Sequence, residues 1–221
     1  MKNVLVTGAT GMMGSLVLEH CLKSQEVSRV ISLVRRSSGV SHQKLHEVVI
    51  KDFSNLGEDA EYWESVDVVY YCLGVYTGAI NRELFRQITV DYPETLAKVL
   101  QRKSPDLVFC LLSGAGADRT EKSRMMFARD KGIIENKLAK MGFKSFFAFR
   151  PGYIYPVTPR NEPNIAYRVI RFFYPVIRLL GKNTSIKSTD LAASMFAVGL
   201  HGSDQEILEN KDILGALPGP I

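Results

Sequence analysis

Three glycines at fixed spacing constrain this chain more than any other feature: Gly8, Gly11 and Gly14, in the run Thr7-Gly8-Ala9-Thr10-Gly11-Met12-Met13-Gly14. Ahead of them Asn3-Val4-Leu5-Val6 is a short apolar run. Behind them Leu16, Val17, Leu18 and Leu22 recur at helical spacing, and Arg29 to Val34 reads as a strand again. A strand, a glycine-rich turn, a helix and a strand in that order form the setting that a dinucleotide fingerprint requires. Gly8 permits the tight turn, Gly11 lets the backbone approach a pyrophosphate, and Gly14 lets the helix lie close to the strand. Thr10, Met12 and Met13 belong to the same phosphate-facing turn, at the positive end of the helix dipole.

The loop after the second strand bears on the choice of nucleotide. A dinucleotide fold that binds a free ribose 2′-OH carries an acid here, whereas an arginine accommodates a 2′-phosphate. This chain has Arg35, Arg36, Ser37 and Ser38 after Val34, with no acid among them. Guanidinium forks suit phosphate, so NADP (NADPH) is the expected cofactor, with a solvated basic loop as the plain alternative.

Further along, Glu47 to Ile50 reads as a third strand. Asp52 and Phe53 after it are placed to meet an adenine, or simply to form a turn. Asp67 to Gly74, through Leu73, is a buried-type strand that breaks at Gly74, where a ribose would pass close to backbone. A long helical pattern runs from about Asn81 to Arg102, a fifth strand from Leu107 to Leu112, and a helix from roughly Glu121 to Met141. Phe146 to Arg150 is a sixth strand, ending in Pro151-Gly152-Tyr153. Strands alternating with helices predict an α/β fold: a doubly wound parallel sheet with helices on both faces. Gly8, Arg35, Gly74, Ser113 and Pro151 all follow strand ends, so they should line one crevice at the carboxyl edge of that sheet.

Composition narrows the class. The 221 residues, 46% of them hydrophobic, suit one domain with a full core. The net charge of +5 mixes 28 bases with 23 acids, which favours small anionic ligands over a nucleic-acid face. The start of the chain leaves no room for a signal peptide, and no stretch is apolar enough for a transmembrane segment. Cys21, Cys72 and Cys110 show no metal or redox spacing and read as reduced core residues, giving a cytoplasmic expectation.

On the glycine motif, the Asp52 region, Gly74, Ser113, Lys131 and Pro151-Gly152, the chain resembles the short-chain dehydrogenase/reductase superfamily in its extended or atypical branch. Within that branch it is most similar to the small Tat-interacting-protein oxidoreductase-like proteins. Thr89 to Thr95 also looks like the family's fourth-helix segment, with Asp91 near the place of a structural asparagine. The resemblance implies a Rossmann-like fold across residues 1–221, with 152–187 as a small C-terminal substrate-side segment.

The resemblance also implies a catalytic set of a serine, a tyrosine and a lysine four residues after the tyrosine. The tyrosine protonates a carbonyl as hydride arrives, the lysine holds the nicotinamide ribose, and the serine binds the substrate oxygen. Here Ser113 and Lys131 match, but Phe127 stands where the tyrosine belongs. Residues at i and i+4 share a helix face, so Phe127 and Lys131 should meet the same ligand. Tyr76 and Tyr153, on loops facing the crevice, are the candidate replacement donors. Arg168, Arg171 and Arg178 lie among apolar residues in the substrate-side segment, as a lid, a membrane-surface helix or a solvated face.

Two functions fit these residues. One is an NADP-dependent oxidoreductase acting on an unidentified carbonyl compound; the other is a catalytically weak NADPH-binding redox sensor or regulator of a partner protein. No nucleic-acid partner is expected, and self-association is left open.

Overall fold

The computed structural model describes residues 1–57, 60–75, 80–158 and 184–219. The chain begins with β1 (Lys2–Thr7), α1 (Met12–Lys23), β2 (Val27–Val34), β3 (Leu45–Val49) and β4 (Val68–Tyr71). It continues with α2 (Arg82–Arg86), α3 (Tyr92–Lys103), β5 (Val108–Leu112), α4 (Met126–Ala139) and β6 (Ser145–Arg150). Then come β7 (Tyr153–Tyr155), β8 (Ser185–Lys187), α5 (Ser188–His201), β9 (Ile207–Glu209) and α6 (Asn210–Gly215). Seven strands form one parallel sheet in the order β3-β2-β1-β4-β5-β6-β9, while β7 and β8 pair in a separate parallel ribbon. The order reverses between β1 and β4, which opens a crevice above their carboxyl ends.

Strand alternation sends the two faces to different cores. Val4, Val6, Val68 and Tyr70 pack with Val17 and Cys21 of α1 and with Leu191 and Met195 of α5. Leu5, Val69, Tyr71 and Phe109 face the other way, onto Leu96 and Leu100 of α3 and Ile134 and Leu138 of α4. The sheet is therefore covered on both sides, and its strands read as continuous apolar runs. All three cysteines are free and buried.

The expected helix from Asn81 is present but not uniform. Between α2 and α3 the residues Gln87–Asp91 form a π turn, in which Tyr92 N–H reaches the carbonyl of Gln87 five residues back. The widened turn comes just before Pro93, whose ring would crowd the carbonyl four residues earlier in a regular helix. Asp91, near the place of the family's structural asparagine, ends that turn exposed to solvent.

The helix expected from Glu121 starts later, at Met126. Asp118 explains the delay. Its carboxylate accepts from the N–H and hydroxyl of Thr120 (2.9 and 2.7 Å) and from Ser123 N–H (2.8 Å), holding a loop in which Glu121 takes a positive φ of 62°. Such local side-chain bonds compete with a helix for the same backbone groups. Sequence periodicity missed β7, β8 and β9, which are only three residues each.

Candidate functional site: a nucleotide crevice with a sealed floor

The glycine turn has the geometry that its spacing demands. Gly8 sits at φ +71°, and a Cβ there would stand 2.8 Å from the Cys72 carbonyl oxygen at the end of β4. Any side chain on Gly14 would overlap the Gly8 carbonyl, so α1 can lie against β1 only without one. Gly11 N–H donates to Gly8 O at 2.8 Å, and Thr7 Oγ1 accepts from Cys72 N–H and Leu73 N–H (3.2 and 3.3 Å), locking β1 to the β4 exit.

Gly11 caps α1 without a side-chain hydrogen bond, and the first turn holds no acid. The N–H groups that begin any helix lack intrahelical partners, and among the described residues no side chain covers them here. Thr10 and Gly11 are exposed, Met12 is half-buried, and the Met13 side chain is in the core, leaving its backbone to the turn. A narrow cradle bounded by missing Cβ atoms, at an uncapped helix N-terminus, fits a diphosphate.

The rim beyond β2 is more occupied than the sequence implies. Arg35 and Arg36 are exposed, and among the described residues neither is ion-paired. Ser37 and Ser38 are engaged by Glu47 of β3. The Ser37 hydroxyl donates to Oε2 at 2.8 Å, and Ser38 N–H donates to both carboxylate oxygens at 3.1 and 3.2 Å. Sequence reasoning did not flag Glu47, because only the pairing of β2 with β3 brings it under that loop.

Asp52 is exposed and accepts from Ser54 N–H at 2.8 Å in a turn. Phe53 is a correction. It is 2% exposed, and its ring packs 5.7 Å from that of Tyr92 inside the core, so no ring face is left for an adenine. Leu73 is half-buried and Gly74 exposed, with open space where its side chain would be.

Past β5 and β6 the pattern reverses, and most polar groups are bonded to one another, although Arg119 Nη2 is buried without a hydrogen-bond partner. Ser113 is buried, and its hydroxyl donates to Glu135 Oε1 at 2.5 Å. Glu135, fully buried on α4, also accepts from Arg119 Nε (3.1 Å) and from Arg150 Nε and Nη2 (3.0 and 2.5 Å). Arg150 continues to Glu209 at 3.1 Å and Arg119 to Glu206 at 2.7 Å. The single proton of the Ser113 hydroxyl is thus spent on a carboxylate, which departs from the expected bond to a substrate oxygen. The i+4 spacing of Glu135 from Lys131 was the one signal in the sequence that pointed to it.

Lys131 is half-buried and donates from Nζ to the Ser113 carbonyl. Burial pulls its pKa down to about 8, with Glu135 one turn along opposing the shift. A Cβ on Gly114 would come within 3.1 Å of Nζ, so the residue beside the ammonium has no side chain to offer it.

Next to Lys131, Asp130 is fully buried and holds Arg82 (2.8 Å) and Arg86 (3.1 Å), tying α4 to α2. Gly132 passes so close to the Asp118 carbonyl that no other residue would fit. Together these contacts fix the position of α4 and hence of Lys131. Phe127, one turn before Lys131, is half-buried and belongs to neither hydrophobic core.

Pro151 is buried, and its carbonyl accepts from Ala115 N–H at 3.0 Å. Gly152 N–H donates to Asn210 Oδ1 at 2.9 Å. Tyr153 is half-buried in β7. Tyr76, Arg168, Arg171 and Arg178 lie outside the described residues.

Among the described residues no helix is long and apolar enough to cross a membrane, and no cluster of side chains could hold a metal.

Comparison with known proteins agrees with this geometry. The model of the NAD dependent epimerase/dehydratase family matches residues 4–151. Protein HTATIP2 of Rattus norvegicus is 26% identical over 217 residues, 96% of this chain and 88% of its own length. The mitochondrial protein fmp52 of Emericella nidulans is 29% identical over 178 residues, covering 78% and 75%. Among solved structures, UDP-glucuronic acid 4-epimerase from Bacillus cereus in complex with NAD superposes with a TM-score of 0.67 at 15% identity, covering 93% of this chain and 77% of that one.

Proposed function

We propose that this chain, which belongs to the NAD dependent epimerase/dehydratase family, is an NADP(H)-binding oxidoreductase of the atypical short-chain dehydrogenase/reductase type with an unidentified carbonyl substrate. The observation that carries the reading is the uncapped α1 N-terminus behind Gly8, Gly11 and Gly14, on the same sheet edge as Lys131. The turn holds the diphosphate, Arg35 and Arg36 face the 2′-phosphate, and Leu73 and Gly74 border the nicotinamide half. Lys131 holds the ribose hydroxyls. When bound, the nicotinamide supplies or accepts a hydride.

Phe127 takes the place of the family tyrosine and has no proton to give, so turnover is slow unless Tyr153 or Tyr76 donates. Titrating the protein with NADPH and NADH, then following NADPH oxidation over a panel of aldehydes, ketones and quinones, tests both halves of the reading. Absence of NADPH binding removes it.

A second reading, an NADPH-binding redox sensor or regulator of a partner protein, is favoured by one observation: Glu135 already holds the Ser113 proton. Tight NADPH binding with no oxidation across the panel selects it. Three buried free cysteines fit a reducing compartment, the cytoplasm or the one named for the fungal relative, and fractionation decides between them.

A further inference from the structure

The loop after β2 carries two kinds of donor for an anion, and one kind is already in use. Ser37 and Ser38 present a hydroxyl and a backbone N–H on one side, and the Glu47 carboxylate occupies both, at 2.8 Å and at 3.1 and 3.2 Å. Phosphate oxygens use the same donors at the same distances.

The loop is also closed upon itself. Gly39 N–H donates to Ser37 Oγ at 3.2 Å and Val40 N–H to Ser38 Oγ at 3.1 Å, so the donors are held in place around the acid. Glu47 is fixed from below on β3, the edge strand of the sheet, where it pairs in register with Ser32 of β2. Burial alone would raise its pKa. The bonds from Ser38 and Ser37 outweigh that and hold the carboxyl below the usual range, so it is charged at neutral pH. Arg35 and Arg36, on the same loop, are exposed to solvent.

We infer that Glu47 sets the cofactor preference of this protein by acting as an internal competitor for the 2′-phosphate, occupying the serine donors that a phosphomonoester would otherwise take. The inference rests on the NADP(H) reading above and sharpens it. The arginines attract the 2′-phosphate, while the acid holds back part of its binding site and repels it. NADH has only a hydroxyl there and meets no such repulsion.

Calorimetric titration of NADPH, NADH and adenosine 2′-monophosphate into wild-type and Glu47→Gln protein tests this. Glutamine keeps the shape and removes the charge, so NADPH and adenosine 2′-monophosphate should each bind about tenfold more tightly, with NADH within about twofold of wild type. Ser37→Ala in the Glu47→Gln background should cancel most of the gain.

Unchanged or weaker NADPH binding by folded Glu47→Gln protein overturns the inference, as does an equal loss for both dinucleotides, which would make Glu47 a loop anchor only. If wild-type protein binds NADH as tightly as NADPH and only Glu47→Gln favours NADPH, the NADP(H) preference proposed above fails while the role of Glu47 stands. If wild type binds neither dinucleotide, both fail.

Discussion

The two ends of the crevice treat their polar groups in opposite ways. At the β1 end the backbone N–H groups of the first turn of α1 have no side-chain cap, and the glycines keep them reachable. At the β5–β6 end the Ser113 hydroxyl, Glu135, Arg119 and Arg150 are bonded to one another in a buried knot. An open set of donors suits a ligand that brings its own charge. A closed set suits rigidity, because every group in it would cost energy to uncover. The contrast separates two kinds of surface: the first end offers backbone donors to a ligand, and the second commits the Ser113 proton to Glu135.

The largest effect should come from blocking the open end. A Cβ on Gly11 already approaches Gly8 O at 3.2 Å, and the rest of a valine would fill the face of the turn. Folded Gly11→Val protein should show no saturable binding of NADPH or NADH in calorimetry. Undiminished affinity would dissociate the cradle from the cofactor.

The knot should matter to stability instead. Removing one partner from a buried charge pair typically costs about 3–5 kcal/mol, and Glu135→Leu leaves two arginine side chains without their shared acceptor. Urea unfolding should register a loss of that order. A variant as stable as wild type would show that the knot does not hold this end closed.

Adding a proton donor there sharpens the comparison further. Phe127→Tyr puts a phenol one turn from Lys131, and turnover of the best carbonyl in the panel should rise on the order of 10²-fold. No change would mean that a tyrosine already donates, and Tyr76→Phe or Tyr153→Phe should then cripple the protein.

At the open end, replacing Arg35 and Arg36 together by alanine should weaken NADPH about tenfold, the loss of one charge-assisted contact, and leave NADH nearly unchanged. Equal losses for both would assign the arginines another task.

The smallest effect is a pH dependence of stability. Lys131 sheds its proton near pH 8 in the folded protein, below its ordinary value of 10.5. Between those values the unfolded chain binds more protons than the folded one, so the contribution of Lys131 to stability rises with pH across that window. Below about pH 8 the cost of keeping the ammonium half-buried is present in full. The melting temperature of wild type relative to Lys131→Met should therefore climb from about pH 8 to about pH 10. A flat difference would mean that burial does not disfavour the charge.

The glycine turn, the alternation of strands and helices and the shared crevice edge were all legible in the sequence, because each depends on residues close together in the chain. Gly8, Gly11 and Gly14 answer to backbone sterics within one short turn, and the strands to their alternating faces. The direction of a single side chain was not legible in the same way. Ser113 matches a family position, yet whether its hydroxyl faces the crevice or the core depended on Glu135 and Arg150, which reach it from α4 and β6. Phe53 looked available to an adenine, but Tyr92 from the start of α3 packs on it. Ser37 and Ser38 looked like free donors, and Glu47 came to them through strand pairing.

The sequence by itself determined that a glycine turn would form between β1 and α1 and where it would stand, since local conformation leaves such a turn between strand and helix few alternatives. Only the tertiary structure decided which polar groups remain free to act. A buried donor or acceptor must find a partner, and the partner that satisfies it at least cost usually comes from a distant part of the chain.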